Sequence, residues 1–399
     1  MRARLFPLWL LGFYGAWLAL VARGDHWGTV VAHWPIAASM ALGSYVAGAT
    51  PMGGGSVGFP VLVLLFDLPA TLGRDFSFAI QAVGMTSASL YIIASRRRVA
   101  WRLLAWALLG ALLGTPLGLR WVAPHLPGGV AEIAFAVIWA SFGLMALTRL
   151  SELSGASTPT PTTAGFDRAV GVAIGALGGA LIAAVTGVGV DMLICVVLVL
   201  IVRADLKIAV PTSIVLMAGT SIIGAATQWL SGGFAPETFE HWVAAAPIVA
   251  LGAPLGALVV NLVGARLTLA LVSGLCLLQF AWVGLVQWQR MGWHSVLLGG
   301  GGLLAFHLVF RWMNELGKRM RQRAREPVPG PERSRRCGER AGPRLTSDDG
   351  HEPALSSISS APMSGVAPPW GRSSPSRSTA TPALGSARPV QVSSSAARW

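Results

Sequence analysis

Residues 52–65 read MGGGSVGFPVLVLL, and residues 186–193 read TGVGVDML. Each stretch sets closely spaced glycines inside long apolar sequence, so the reading turns on what solvent surrounds them. The chain has 399 residues, of which 53% are hydrophobic and 12% charged. A soluble domain carries about 25% charged residues, which argues against a water-soluble enzyme. Disorder across the whole chain is excluded as well, because disordered chains are poor in apolar residues. Cys195, Cys276 and Cys337 are odd in number and scattered, so they give no disulfide framework.

The net charge of +13 and pI near 11.3 would fit nucleic acid only with basic residues clustered on a folded face. They lie elsewhere. Residues 317–399 hold 14 Lys/Arg and 6 Asp/Glu among many Ser, Pro and Ala, which reads as a basic disordered tail. Arg319, Arg321, Arg323 and Arg325 would meet anionic lipid headgroups, or the tail is a solvated extension without a role.

Residues 1–316 are apolar stretches broken by short charged loops. A span needs about 20 apolar residues to cross a ~30 Å hydrocarbon core. Full-length candidates are 5–22, 77–95, 103–122, 129–148, 208–230, 242–263, 267–288 and 295–313. Two further regions, 33–69 and 169–202, are apolar but interrupted by glycine. Trp27, Trp34, Trp101, Trp121, Trp242, Trp288, Trp293 and Trp312 fall near segment ends, where indoles prefer the headgroup level. The expected fold is all-α, a polytopic membrane bundle. With the N-terminus inside, the cytoplasmic side receives 12 Lys/Arg, including Arg96, Arg97, Arg98, Arg203 and Lys207, and the outside receives 4. Both termini are therefore expected in the cytoplasm. The first segment is read as an anchor; its apolar run is long for a cleaved signal peptide.

The two interrupted regions are related. A shift of 134 residues places Gly53 and Gly55 on Gly187 and Gly189, and Thr86-Ser87 on Thr220-Ser221. Four residues more align LGTPLG (113–118) with LGAPLG (251–256). Each repeat has five segments, an odd number, so the two copies are inverted. Many secondary transporters obtain two alternate openings this way, although a duplication without transport would leave the same trace. The expected organisation is an N-terminal anchor and loop (1–32), a first repeat (33–148), a cytoplasmic loop (149–168), a second repeat (169–288), an extra membrane segment (289–316) and the tail (317–399).

Residues 35–69 as continuous helix extend about 52 Å, short of the roughly 60 Å needed to cross and return. Each glycine tip is therefore expected within the bilayer, where irregular backbone survives only when buried or facing a water-filled cavity. Helices starting near Ser56 and Val190 would present free N–H groups to a small anion. Gly53, Gly54, Gly55, Ser56, Thr86, Ser87, Thr186, Gly187, Gly189, Thr220 and Ser221 are the substrate-binding candidates, with Thr50 and Gln81 as further donors. Interhelical hydrogen bonding is the competing role for the Thr and Ser residues. Asp191 is either a proton or ion carrier or a helix-start cap.

On the Gly-rich tip MGGGSVGFPVLVLL, the paired TGVGVDML, the Thr-Ser pairs and the LGxPLG repeats, the chain resembles the sulfite exporter (TauE/SafE) family over about residues 33–288. The resemblance implies a multi-pass permease of the cytoplasmic membrane that exports small anions, often sulfur-containing; the inverted repeats add alternating access as its expected mode. Its expected partners are the anion, membrane lipids and a possible coupling proton or ion, with no nucleic acid and no cofactor. The second half departs from the first, with Gly-Val-Gly and Asp191 in place of three consecutive glycines. A rival reading takes Gly54-Gly55-Ser56-Val57-Gly58 as the G-x-S-x-G of a serine hydrolase, which needs a strand before the Ser and a base such as His307. A channel or sensor on the same fold is a third. His26, His33, His125, His241 and His294 match no metal-ligand spacing and read as interfacial.

Overall fold

The computed structural model describes residues 2–53, 55–148, 162–263 and 265–325. Gly54, most of the expected cytoplasmic loop and the expected tail beyond 325 lie outside them. The described residues form thirteen helices and no strand. In chain order these are α1 (Arg2–Arg23), α2 (Trp27–Ala32), α3 (Trp34–Ala49), α4 (Gly55–Pro60, continued by a π turn at Val61–Leu65), α5 (Ala70–Ala94), α6 (Trp101–Trp121) and α7 (Gly128–Thr148). Then follow α8 (Ala164–Thr186), α9 (Val190–Leu200), α10 (Leu206–Leu230), α11 (Pro236–Val263), α12 (Ala265–Met291) and α13 (Trp293–Arg325).

Nine of these are long and apolar enough to cross a membrane: α1, α5, α6, α7, α8, α10, α11, α12 and α13. All eight full-length spans expected from the sequence are among them. The ninth, α8, differs from expectation. It begins at Ala164 instead of 169, because Thr163 caps it by accepting a hydrogen bond from the Phe166 N–H and Asp167 occupies its first turn. Gly178 and Gly179 do not break it; a π turn at Gly178–Ala183 absorbs them. The break falls only at Gly187–Gly189.

Short α9 spans only about 16 Å. All of its residues except Leu193 are buried, so protein and not lipid surrounds it. On α1, α12 and α13, Leu8, Leu11, Leu271, Leu278, Leu304 and Leu308 are exposed, which is how a lipid-facing surface reads. The last helix also corrects the expected tail. Residues 317–325 are helical, and Leu316 and Met320 pack on the core. Gly317 lies so close to α9 that a methyl there would sit 2.1 Å from the Leu200 carbonyl oxygen.

Two helix crossings organise the bundle, and both are lined by small residues. On α8, a methyl at Gly175 would sit 1.9 Å from the Ala107 carbonyl oxygen of α6. On α6, a methyl at Gly114 would sit 2.2 Å from that of Ala176. The second crossing joins α3 and α11: a methyl at Gly48 would be 1.8 Å from the Ala253 oxygen, and one at Gly256 would be 2.4 Å from the Tyr45 oxygen. The hexapeptides at 113–118 and 251–256 thus contribute to both crossings, through Gly114 in one and through Ala253 and Gly256 in the other. Without a hydrophobic force between helices in lipid, such small-residue contacts supply the association. The partners are exchanged: α6 from 33–148 packs on α8, and α11 from 169–288 packs on α3.

These crossings yield a stability contrast. Gly175→Ala is expected to lower the thermal midpoint by several degrees, in line with about 1–3 kcal/mol for overpacking. Gly300→Ala on α13, where nothing lies within 4 Å, is expected to leave it unchanged or raise it by replacing a mid-helix glycine. Detergent-solubilised protein followed by size-exclusion after heating measures both.

Candidate functional site

The two glycine breaks meet. Gly53, at φ +65°, sits beside α5 and α9: a methyl there would lie 2.4 Å from Gln81 Oε1 and 3.1 Å from Asp191 Oδ2. Gly187, at φ +77°, packs on the start of α5, 2.5 Å from the Arg74 carbonyl oxygen by the same measure. Positive φ at these positions strains any residue with a Cβ. Gln81 ties the second break to α5, because its Nε2 donates to the Ser77 oxygen (3.0 Å) and the Gly187 oxygen (3.3 Å).

Asp191 is fully buried at the start of α9. Its Oδ1 accepts from the Gly189 and Met192 N–H groups, both at 3.1 Å. One carboxylate oxygen therefore does the capping work, and the start of α9 is not open to an anion as the sequence led us to expect. Oδ2 has no hydrogen-bond partner among the described residues. Across the break, α4 offers only six residues before its π turn, too few to sum much of a dipole.

The hydroxyl candidates divide. Thr50, Thr186 and Thr220 bond to the helix turn behind them, at Val46, Ile182 and Leu216. Ser87 accepts from Trp9 Nε1 at 2.7 Å and so faces α1, away from the breaks. Thr86 Oγ1 and Ser221 Oγ are buried without partners among the described residues. The helix-to-helix course around Ser56 lacks the strand of a nucleophile elbow, since no strand occurs among the described residues. His307 lies on α13, in a groove shared with Ser141, Thr148 and Arg311.

A cavity of about 760 Å³ reaches this region. Thr50, Pro51 and Cys195 are buried on its lining, while Arg96, Arg98 and Lys207 are exposed on it, together with Arg97 and Asp205. Arg97 Nη2 donates to the Ala257 carbonyl oxygen at 3.0 Å. Sequence reasoning used these basic residues only for orientation. The signal that marks the lining was the Arg96-Arg97-Arg98 run immediately after α5. Cys195 was legible too, one helical turn from Asp191 on the same face.

Other polar groups stay apart from the cavity lining. Glu132 is buried near the start of α7 and accepts from Gln287 Nε2 on α12; the sequence reading counted Asp191 alone as a carboxylate well inside a span. His33 and His241 pack edge to face at 4.8 Å, with Glu240 3.6 Å from His33. Among the described residues, no group of three or more ligands could hold a metal ion.

The cavity gives an accessibility test. In a chain without its native cysteines, Ser95→Cys and Thr50→Cys are both expected to react with a small polar thiol reagent added from one side. Thr50→Cys should react more slowly, and neither should react from the opposite side of sealed vesicles. Labelling of Thr50→Cys from the opposite side alone would reverse the cavity's opening.

The family model described as sulfite exporter TauE/SafE matches residues 36–283, from α3 into α12. No curated protein and no solved structure matches the chain. With more than half of its residues within the match, this multi-pass helical chain belongs to the sulfite exporter TauE/SafE family.

Proposed function

We propose that the protein is a permease of the cytoplasmic membrane that moves a small anion, sulfur-containing or organic, outward by alternating access. The observation that carries this reading is the cavity, whose lining combines Arg96, Arg97, Arg98 and Lys207 with a single acid, Asp205, and reaches the break between α3 and α4. A cleft dominated by one sign of charge raises the local concentration of the opposite ion. Sulfite or a sulfonate would enter among the basic groups and meet Thr50 and Pro51 at depth. The family's description supports the choice of sulfur anions.

Two inverted repeats would supply the two openings. Support comes from the sequence correspondences and from the exchanged crossings, α6 with α8 and α3 with α11. In this reading the basic mouth is cytoplasmic, in keeping with the positive-inside bias of the loops. The opposite path is closed where Gly187 lies on the α5 backbone and Gln81 holds its carbonyl. Alternation would part these contacts and close the basic side. Asp191 is the coupling residue, because an unpartnered carboxylate oxygen at this depth needs a cation.

The test is flux into sealed vesicles containing the purified protein, with sulfite, sulfonates and carboxylates as substrates and an imposed pH gradient. Combined Arg96→Gln, Arg98→Gln and Lys207→Gln substitutions are expected to raise KM about tenfold and to flatten its dependence on ionic strength. Wild-type protein that moves none of these anions would refute the permease reading. Asp191→Asn is expected to remove the pH dependence of flux.

A further inference from the structure

We infer that Asp191 and Gln81 together form a proton site, with one proton on Asp191 Oδ2 donated to Gln81 Oε1. Both atoms are acceptors in the absence of that proton, both are without a partner among the described residues, and their residues are 0% and 1% exposed. Buried polar atoms are nearly always paired, so two neighbouring orphans of the same kind call for a common donor. Both oxygens flank one point, the Cβ position of Gly53, at 2.4 Å and 3.1 Å.

The amide cannot be turned to resolve the conflict. Gln81 Nε2 donates to the Ser77 and Gly187 carbonyl oxygens, and a flip would set its own oxygen against both of them. Its Oε1 must therefore face the Gly53 side. Nor can Asp191 rotate cheaply, since Oδ1 is held by two backbone N–H groups. Ionised, Asp191 would keep an unsolvated charge facing a lone pair. A proton on Oδ2 removes the charge and makes the O–H the amide oxygen lacks.

The remaining charged or titratable groups on the surrounding helices leave this assignment alone. Arg74 and Asp75 on α5 pair with each other at 2.8 Å. Glu132 on α7 bonds to Gln287, and Asp167 on α8 pairs with Arg102. Cys276 on α12 contacts the Met52 sulfur, and Cys195 on α9 lines the cavity. Asp191 itself does not line the cavity, but Cys195 one turn along α9 does, which leaves a single turn of helix between the cavity and the proton. With it in place, α5 and α9 are bonded across the break; without it, two acceptors face each other and the contact loosens. The inference rests on the permease reading only for its use in coupling, and its test does not require transport.

The test is infrared difference spectroscopy of the full chain in lipid during a pH titration. A carboxylic-acid carbonyl band is expected at low pH, to be lost as pH rises, absent in Asp191→Asn, and shifted upward in frequency in Gln81→Leu through loss of its acceptor. A band that Asp191→Asn leaves in place, or that Gln81→Leu leaves unmoved, overturns the site. Displacement of the band by Na⁺ at fixed pH overturns the proton as its occupant. Should Asp191→Asn fail to fold, the Gln81→Leu shift decides. A normal band in protein that transports no anion would refute the permease reading and leave the site standing.

Discussion

The hydrocarbon core of a membrane offers no hydrogen bonds, so every break in a helix must be closed by protein or by a water-filled cavity. The segments at residues 50–53 and 187–189 are such breaks, and the rest of the bundle can be read as their enclosure. Short α9 is buried along nearly its whole length. Gln81 takes one freed carbonyl, at Gly187, and Asp191 takes two freed N–H groups. Among the buried side-chain atoms of the described residues that this enclosure leaves without a partner are Asp191 Oδ2 and Gln81 Oε1, which flank the same point beside Gly53.

Enclosure at this density depends on the glycine crossings. Backbones at Gly48 and Ala253, and at Gly175 and Ala107, approach closer than any Cβ permits. The helices in these crossings carry the cavity lining at Gly48 and Ala257 and the second break at α8's end. Packing and chemistry are therefore linked: the same tight contacts that replace a hydrophobic driving force hold the unusual backbone in register. Basic residues complete the picture at the ends of helices, where water begins.

Much of this was legible from the residues. Span length, apolarity and Trp placement located eight of the nine long helices, because hydrocarbon thickness fixes what a span must look like. The glycine pairs marked both breaks, since few other residues accept φ of +65° or +107°. Less legible was how α8 accommodates its other glycines. Gly178-Gly179 lies in α8 against Thr115 and Leu193 and is absorbed by a π turn, whereas Gly187 ends the helix. Local sequence is similar at both; the neighbours differ. The end of α13 was hidden for a related reason, because the basic composition after Gly317 masks packing of Leu316 and Met320 on the core.

By itself, the sequence determined that this is a multi-pass helical membrane chain, where its breaks fall, and that Asp191 sits beside one of them. Those properties follow from solvent and local backbone, which each segment meets independently. Only the tertiary structure decided that Gly53 and Asp191 meet, that Ser87 turns to Trp9, and that the Arg96–Arg98 run lines a cavity. These outcomes depend on which helices cross, and crossing is set by contacts between residues far apart in the chain. No span carries that information alone.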